Sequence, residues 1–267
     1  MDKKTVSVIM GIYNCEATLK ESIDSIINQT YTNWELVLCD DGSTDTTFKI
    51  AQQYASKYQG KIKLLKNEKN LGLAATLNHC LQYATGEYIA RMDGDDISLP
   101  ERFEKQVAFL SANPEYQVVG TQMISFDETG EKGIKYAVEK PDKSYLLYNT
   151  PFAHATIMMR RTAYEQLGGY RVHKEVTHCE DVDLWFRFYK AGFTGYNLQI
   201  PLYKVRESLK DFKRRKFLYS LNAAIVCYKG FKLLGYPAKD YIFLLKPIIS
   251  GLIPSPIMKL YHNYRDG

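Results

Sequence analysis

Apolar and polar positions over the first hundred residues switch repeatedly between two periods. "TVSVIM" reads as a buried strand, and "CEATLKESIDSIINQ" places Leu19, Ile23, Ile26 and Ile27 at helical spacing. "WELVLCD" predicts a second strand, and "STDTTFKIAQQYASKY" a second helix behind a Ser/Thr start signal. "KIKLLKN" gives a third strand, "LAATLNHCLQYA" a third helix and "GEYIARM" a fourth strand. Strands separated by helices of this length imply right-handed βαβ crossovers, hence an α/β fold with a mainly parallel sheet flanked by helices. Neither G-x-G-x-x-G nor G-x-x-x-x-G-K-[ST] follows any of these strands, which argues against a dinucleotide-binding or P-loop protein.

The pattern is less regular over residues 97–205. "LPERFEKQVAFLSANP" predicts a helix with Pro100 near its first turn and an end at Asn113-Pro114. Strand-like pieces follow, "YQVVGTQMISF" and "ATIMMR", and then the helix "EDVDLWFRFYKAG", closed by Gly192. No internal repeat or low-complexity segment interrupts the chain.

A length of 267 residues allows one large domain or a domain with an appendage. An apolar fraction of 45% and a charged fraction of 24% are those of an ordinary soluble protein. The 21 tyrosines exceed what a core needs and suit half-wet surfaces as well as core and rim packing. Five scattered cysteines with no C-x-x-C pair speak against a disulfide framework or a structural zinc site and suit a reducing compartment. The apolar run near the N-terminus is cut off by Asn14 and Glu16, so it reads as a first strand and not as a signal peptide.

Charge is distributed unevenly. From Lys204 onward there are 13 Lys/Arg against 4 Asp/Glu, whereas residues 1–203 carry 22 against 26. A mildly acidic body with a strongly basic tail divides the chain for interpretation. Residues 1–205 read as the main domain, with 1–96 and 97–205 as its halves, and 206–267 as a helical extension.

Acidic residues fall where ligands bind in open α/β sheets, outside the carboxyl ends of the strands. Those ends are Gly11-Ile12-Tyr13-Asn14, Asp40-Asp41-Gly42-Ser43 and Asp93-Gly94-Asp95-Asp96. Each cluster alone could be turn or capping chemistry, since Asp-Gly is a common turn and "DDGSTD" suits an Asx turn before a helix. An EF-hand loop is excluded because Ile97 occupies a ligand position. Three clusters on one rim suit a nucleotide with Mn²⁺ or Mg²⁺, whose hard shell phosphates would complete. Glu180 and Asp181 open a helix, where the macrodipole favours carboxylates; the alternative is a general base on a rigid helix.

In order and spacing, "SVIMGIYNCEATLKESIDSIINQTYTNWELVLCDDGSTDTT", "NEKNLGLAATLNHCLQYATGEYIARMDGDDISLPERFEKQ", "HATIMMRR" and "EDVDLWFR" resemble family-2 glycosyltransferases of the GT-A fold. The resemblance spans roughly residues 4–205 and is nearest to bacterial enzymes of capsule, O-antigen or lipooligosaccharide assembly. It implies a UDP-sugar donor, inversion at the anomeric carbon and a glycan or polyprenyl-diphosphate-linked acceptor. It implies a DXD motif at Asp93-Gly94-Asp95, with Asp95 the main metal ligand and Asp93 on the ribose or the metal's water shell. By the same resemblance Asp41 would bind uracil, Tyr13 lie near the base and Glu16 near the nucleoside. Asn70 and Gly72 would line the pocket, Asp181 would be the general base preceded by Glu180, and His154 and Trp185 would lie near the diphosphate or acceptor. The sequence departs from the family at Gly11, where many relatives carry Pro or Thr.

Residues 241–260 are largely apolar but carry Lys246 and Lys259 and are broken by Pro247, Pro254 and Pro256. A spanning helix needs about 20 fairly uninterrupted apolar residues, so attachment to an anionic membrane surface is expected instead, at the inner face of the cell membrane. The competing expectation is a helical flap packed on the catalytic domain. Nucleic-acid binding by the basic cluster Lys213 to Lys216 is disfavoured by the acidic rim. A homodimer is left open. Two rival functions are a sugar-phosphate nucleotidyltransferase, which would need a Gly-rich basic loop that "GIYNCEATLK" does not supply, and a non-catalytic sugar-nucleotide-binding protein on the same fold.

Overall fold

The computed structural model describes residues 4–207 and 217–252. Four strands, β1 (Val6–Ile12), β2 (Trp34–Asp40), β3 (Ile62–Lys66) and β4 (Tyr88–Arg91), alternate with helices α1 (Leu19–Ile27), α2 (Thr47–Lys57) and α3 (Leu73–Tyr83). They pair in parallel in the order β3–β2–β1–β4. Burial on both faces explains the near-continuous apolar runs. Val6, Val8, Met10 and Ile12 of β1 face one core with Ile23 of α1, whereas Ile9 faces the other with Leu77 of α3.

The sheet continues past β4 as a mixed one. Helix α4 (Arg102–Ala112) follows the short strand β5 (Ile97–Ser98); β6 (Val118–Asp127), β7 (Gly130–Lys135), β8 (Met158–Arg160) and β9 (Gly195–Arg206) complete nine strands. The order runs on through β8, β6, β9 and β5, with antiparallel β4–β8, β8–β6 and β9–β5 pairs, a parallel β6–β9 pair and β7 antiparallel to β6. The parallel part of the α/β sheet is therefore its N-terminal half, β1 to β4, where βαβ units recur.

Helices α5 (Arg161–Leu167) and α6 (Glu180–Lys190) cover the second face. As expected, α6 closes at Gly192, whose N–H donates to the Tyr189 carbonyl at 3.1 Å while Phe193 N–H donates to Phe188 at 3.3 Å. Beyond β9, helix α7 (Phe217–Leu234) belongs to the same body, since Val226 and Phe231 are buried in the core that holds Phe186, and in α8 (Leu245–Leu252) Lys246 donates to the Tyr148 carbonyl. Gly230 permits this approach: a Cβ there would lie 2.3 Å from the Phe186 ring. The described part of the tail thus packs on the domain. It leaves Ile242, Leu245, Ile249 and Leu252 exposed. The basic cluster Lys213 to Lys216 and the prolines Pro254 and Pro256 lie outside the described residues. Among the described residues no helix is long and apolar enough to cross a membrane.

Candidate active site

A cavity of about 770 Å³ opens at the carboxyl ends of β1, β2 and β4. Gly11, Tyr13, Asp41, Asn70, Gly72, Asp93, Gly94, Asp95 and Glu180 all line it. Residues expected from separate stretches thus meet in one place. Tyr13 is half exposed and can offer its ring to a planar ligand.

The loops after β1 and β2 are stitched together on the outer side of this cavity. Asn14, held at φ +47°, accepts from Thr44 N–H at 2.9 Å, and its own N–H donates to the Ser43 hydroxyl at 3.1 Å. Glu16 accepts from Thr46 N–H at 2.9 Å and from the Thr46 hydroxyl, at the start of α2. Its carboxylate is therefore a loop clamp and does not line the cavity, because the helix-start N–H groups are unsatisfied donors that draw it away. Asp41 is buried and accepts three hydrogen bonds from its neighbours. Its Oδ1 accepts from Asn67 Nδ2 and Leu71 N–H, both at 2.8 Å, and its Oδ2 from Gly72 N–H at 2.9 Å. Gly72 sits at φ +87°, which favours glycine, and this turn starts α3 under the cavity.

The acidic loop after β4 separates into three roles. Asp93 is gripped by both terminal nitrogens of Arg91. Asp95 is exposed and lines the cavity. Asp96 turns inward, 3% exposed, and accepts from the Arg206 N–H at 2.8 Å. Burial, with Asp93 and Asp95 beside it, pushes the Asp96 carboxyl well above the usual carboxylate range. The first turns of α1 hold this loop from below: the Thr18 hydroxyl donates to Gly94 O at 2.9 Å and the Ser22 hydroxyl to Asp96 O at 2.7 Å. Arg206 straps it from the other side, donating from Nε to Asp95 O at 2.9 Å and pairing with Glu21. One carboxylate oxygen from each of Asp93, Asp95 and Asp96 lies within 4.8 Å of the others. The carboxylates of Asp93 and the exposed Asp95 give an all-oxygen donor set of a kind that fits Mn²⁺ or Mg²⁺.

Glu180 and Asp181 form the first turn of α6. Glu180 reaches the cavity wall, whereas Asp181 is half-buried behind it and accepts from Val182 N–H at 2.9 Å. Burial raises both carboxyls, and Arg91 acts in the opposite direction on both.

His154 and Trp185 do not line the cavity. His154 Nε2 pairs with the Tyr170 hydroxyl at 2.8 Å, and its ring stands edge-on to Trp185. Burial, with the Arg91 charge, drives the His154 pKa well below its ordinary value. Trp185 is fully buried against Phe152 and Phe188, as its place on the apolar face of α6 dictates. Trp185 is a packing residue of the core, and His154 is held beside it.

The remaining wall is the segment 171–178, with Arg171, His173, Lys174 and His178 facing a largely acidic floor. Four basic residues within eight, just before "CED", were the sequence signal for it. Arg91 and Arg206 carried no comparable signal, because each acts across a distance in sequence or from inside a strand.

Residues 7–168 match the model of glycosyl transferase family 2. The chain is 55% identical over 260 residues to the putative glycosyltransferase EpsE of Bacillus subtilis, covering 97% of this chain and 94% of that one. It is 35% identical over 219 residues, covering 81% and 83% of the two chains, to WfgD of Escherichia coli, named UDP-Glc:alpha-D-GlcNAc-diphosphoundecaprenol beta-1,3-glucosyltransferase. Residues 1–349 of S. aureus TarS, solved with UDP, superpose with a TM-score of 0.65 at 20% identity, covering 93% of this chain and 81% of that one, a likeness of GT-A fold. The chain belongs to glycosyl transferase family 2.

Proposed function

We propose that this glycosyltransferase moves a hexose or N-acetylhexosamine from a UDP-sugar to a hydroxyl of a glycan or polyprenyl-diphosphate-linked acceptor during assembly of a surface polysaccharide. The observation that carries the reading is the convergence of Asp41, Asp93, Asp95 and Glu180 on one cavity at the strand ends. The UDP-glucose donor and lipid-linked acceptor in the name of the WfgD relative support the choice of substrates.

In this reading Tyr13 and the Asn70–Gly72 turn hold the nucleoside, and Asp41 fixes that turn. Asp95, with Asp93, holds a divalent cation. The cation, when bound, supplies positive charge to the departing diphosphate. Asp181 takes the proton of the acceptor hydroxyl as its oxygen bonds to the anomeric carbon. The bond from that carbon to the UDP oxygen breaks on the opposite face, so an α-linked donor gives a β-glycoside. Burial of Asp181 strengthens it as a base, and the rigid first turn of α6 fixes its place. The exposed apolar residues Ile242, Leu245, Ile249 and Leu252, with Lys239 and Lys246 near them in sequence, would rest the enzyme on an anionic bilayer surface at the cytoplasmic face, where a lipid-linked acceptor lies.

The test is UDP release across a panel of UDP-sugars, with Mn²⁺ and then with chelator, in detergent containing polyprenyl-diphosphate-linked sugar. Metal-dependent release from one donor is the expected result. Release unaffected by chelator would remove the cation from the account, and silence on every donor would remove the transfer.

A further inference from the structure

Arg91, the last residue of β4, is 6% exposed and lies directly beneath the acidic loop. Its two terminal nitrogens grip both oxygens of Asp93, a forked arrangement that fixes a carboxylate in position and in plane. Its Nε is buried and has no hydrogen-bond partner. Its backbone is held on both sides, with the N–H donating to Ile157 O at 3.1 Å and the carbonyl accepting from Arg102 Nη2 at 2.8 Å. A second buried guanidinium, Arg102, stands close by, and burial together with the Arg91 charge lowers its pKa. For stability alone this is a poor choice, because replacing a buried ion pair by apolar groups is often neutral or stabilising. Arg91 is better explained by what its charge and fork do for the site.

The positive charge of Arg91 also reaches the start of α6, where it opposes the upward push of burial on Glu180 and Asp181. The other charged or titratable groups around that pair are Cys179 just before it, Asp183 in the same first turn, Asp93 from the acidic loop, Tyr170 from the loop after α5, and Arg171, His173, Lys174 and His178 of the wall that shares the cavity with Glu180.

We propose that Arg91 is a positioning residue that joins the two ends of the site, aiming the Asp93 carboxylate at the donor's cation and presenting a fixed positive charge to the Glu180–Asp181 pair. The inference rests on the function proposed above and deepens it. Loss of the charge lets the general-base carboxyl titrate at higher pH, and loss of the fork lets Asp93 swing.

Four proteins test this: wild type, Asp95→Ala, Arg91→Met and Arg91→Lys. Two quantities are read, Mn²⁺-dependent UDP binding by calorimetry and the pH profile of kcat/KM for UDP-sugar turnover. Arg91→Met should weaken Mn²⁺-dependent UDP binding by roughly 10- to 100-fold, the usual effect of losing a residue that orients a metal ligand. It should also move the acid limb of kcat/KM to higher pH. Arg91→Lys keeps the charge but not the fork, so it should weaken binding while leaving the acid limb near its wild-type place. Either readout unmoved in a folded Arg91→Met protein overturns the proposal. If Arg91→Met fails to melt cooperatively, Arg91→Lys decides: UDP binding within about twofold of wild type, against the ~10-fold expected, overturns it. Asp95→Ala separates the two levels. Binding lost there but kept in both Arg91 variants sinks only the role of Arg91; binding kept in Asp95→Ala sinks the cation site and this inference with it.

Discussion

Replacing Asp41 by Asn separates a residue that builds the cavity from one that merely touches a ligand. Asp41 accepts three hydrogen bonds, two on Oδ1 and one on Oδ2. An Asn amide has one acceptor oxygen, so its NH₂ must face at least one donor. The better orientation keeps Asn67 and Leu71 on the oxygen and turns the NH₂ toward Gly72 N–H. One charge-assisted bond, worth about 1.5–3 kcal/mol, is then lost, and the two survivors fall to the neutral range of about 0.5–1.5 kcal/mol each. Easier burial of a neutral amide offsets part of this. A net loss of roughly 2 kcal/mol is expected, which in a protein somewhat longer than 250 residues lowers the melting midpoint by about 4 °C. Because the freed turn holds Asn70, Leu71 and Gly72 on the cavity wall, UDP affinity should fall as well. Urea unfolding of the ligand-free protein and calorimetric titration with UDP measure the two effects. Wild-type stability with UDP affinity lost would refute the argument and leave Asp41 as a ligand contact only.

Three further outcomes follow from the same geometry. Because burial raises the Asp181 carboxyl and a base must be ionised to work, kcat/KM should fall with acidification along a limb above the ordinary aspartate range, and a limb within that range would contradict the assignment. Arg206→Ala removes the bond to Asp95 O, the ion pair with Glu21 and the contact with the Phe126 ring, so Mn²⁺-dependent UDP binding should weaken several-fold, and calorimetry showing unchanged affinity would deny Arg206 its strap role. Gly230→Val drives a branched side chain into Phe186 and should cost about 1–3 kcal/mol in urea unfolding, whereas an unchanged midpoint would mean that α7 does not pack on α6 as described.

The first four strands and three helices were legible because β1, β2 and β4 are buried on both faces, the edge strand β3 partly so, and each helix on one, which writes two distinct periods into the chain. Strand β9 was not. Its run "GYNLQIPLYKVR" is interrupted by Pro201, which sits opposite Gln122 where the β6–β9 register shifts, and a proline in a strand is confined to such irregularities. Strand β5 has two residues and no pattern to read. The acidic members of the site were legible because strand ends and a helix start announce them. Glu16 was misplaced because a carboxylate in a loop can satisfy helix-start N–H groups as readily as a ligand. Trp185 went to the core, as an aromatic on the apolar stripe of a helix usually does, and His154 is tied beside it by the Tyr170 hydroxyl. Arg206 stands 110 residues from Asp96, and only the folded chain brings its backbone to that carboxylate. Arg91 looked like one more strand residue until its fork on Asp93 was visible.

The central claim is that this cavity transfers a sugar with Asp181 as the base. The most direct measurement is the turnover rate of Asp181→Asn on the preferred UDP-sugar and acceptor at saturation, in protein whose Mn²⁺-dependent UDP binding matches wild type. The account predicts a fall of about 10²- to 10⁴-fold, the usual contribution of a general base. A rate within a few-fold of wild type would contradict it and shift the search for the base to Glu180.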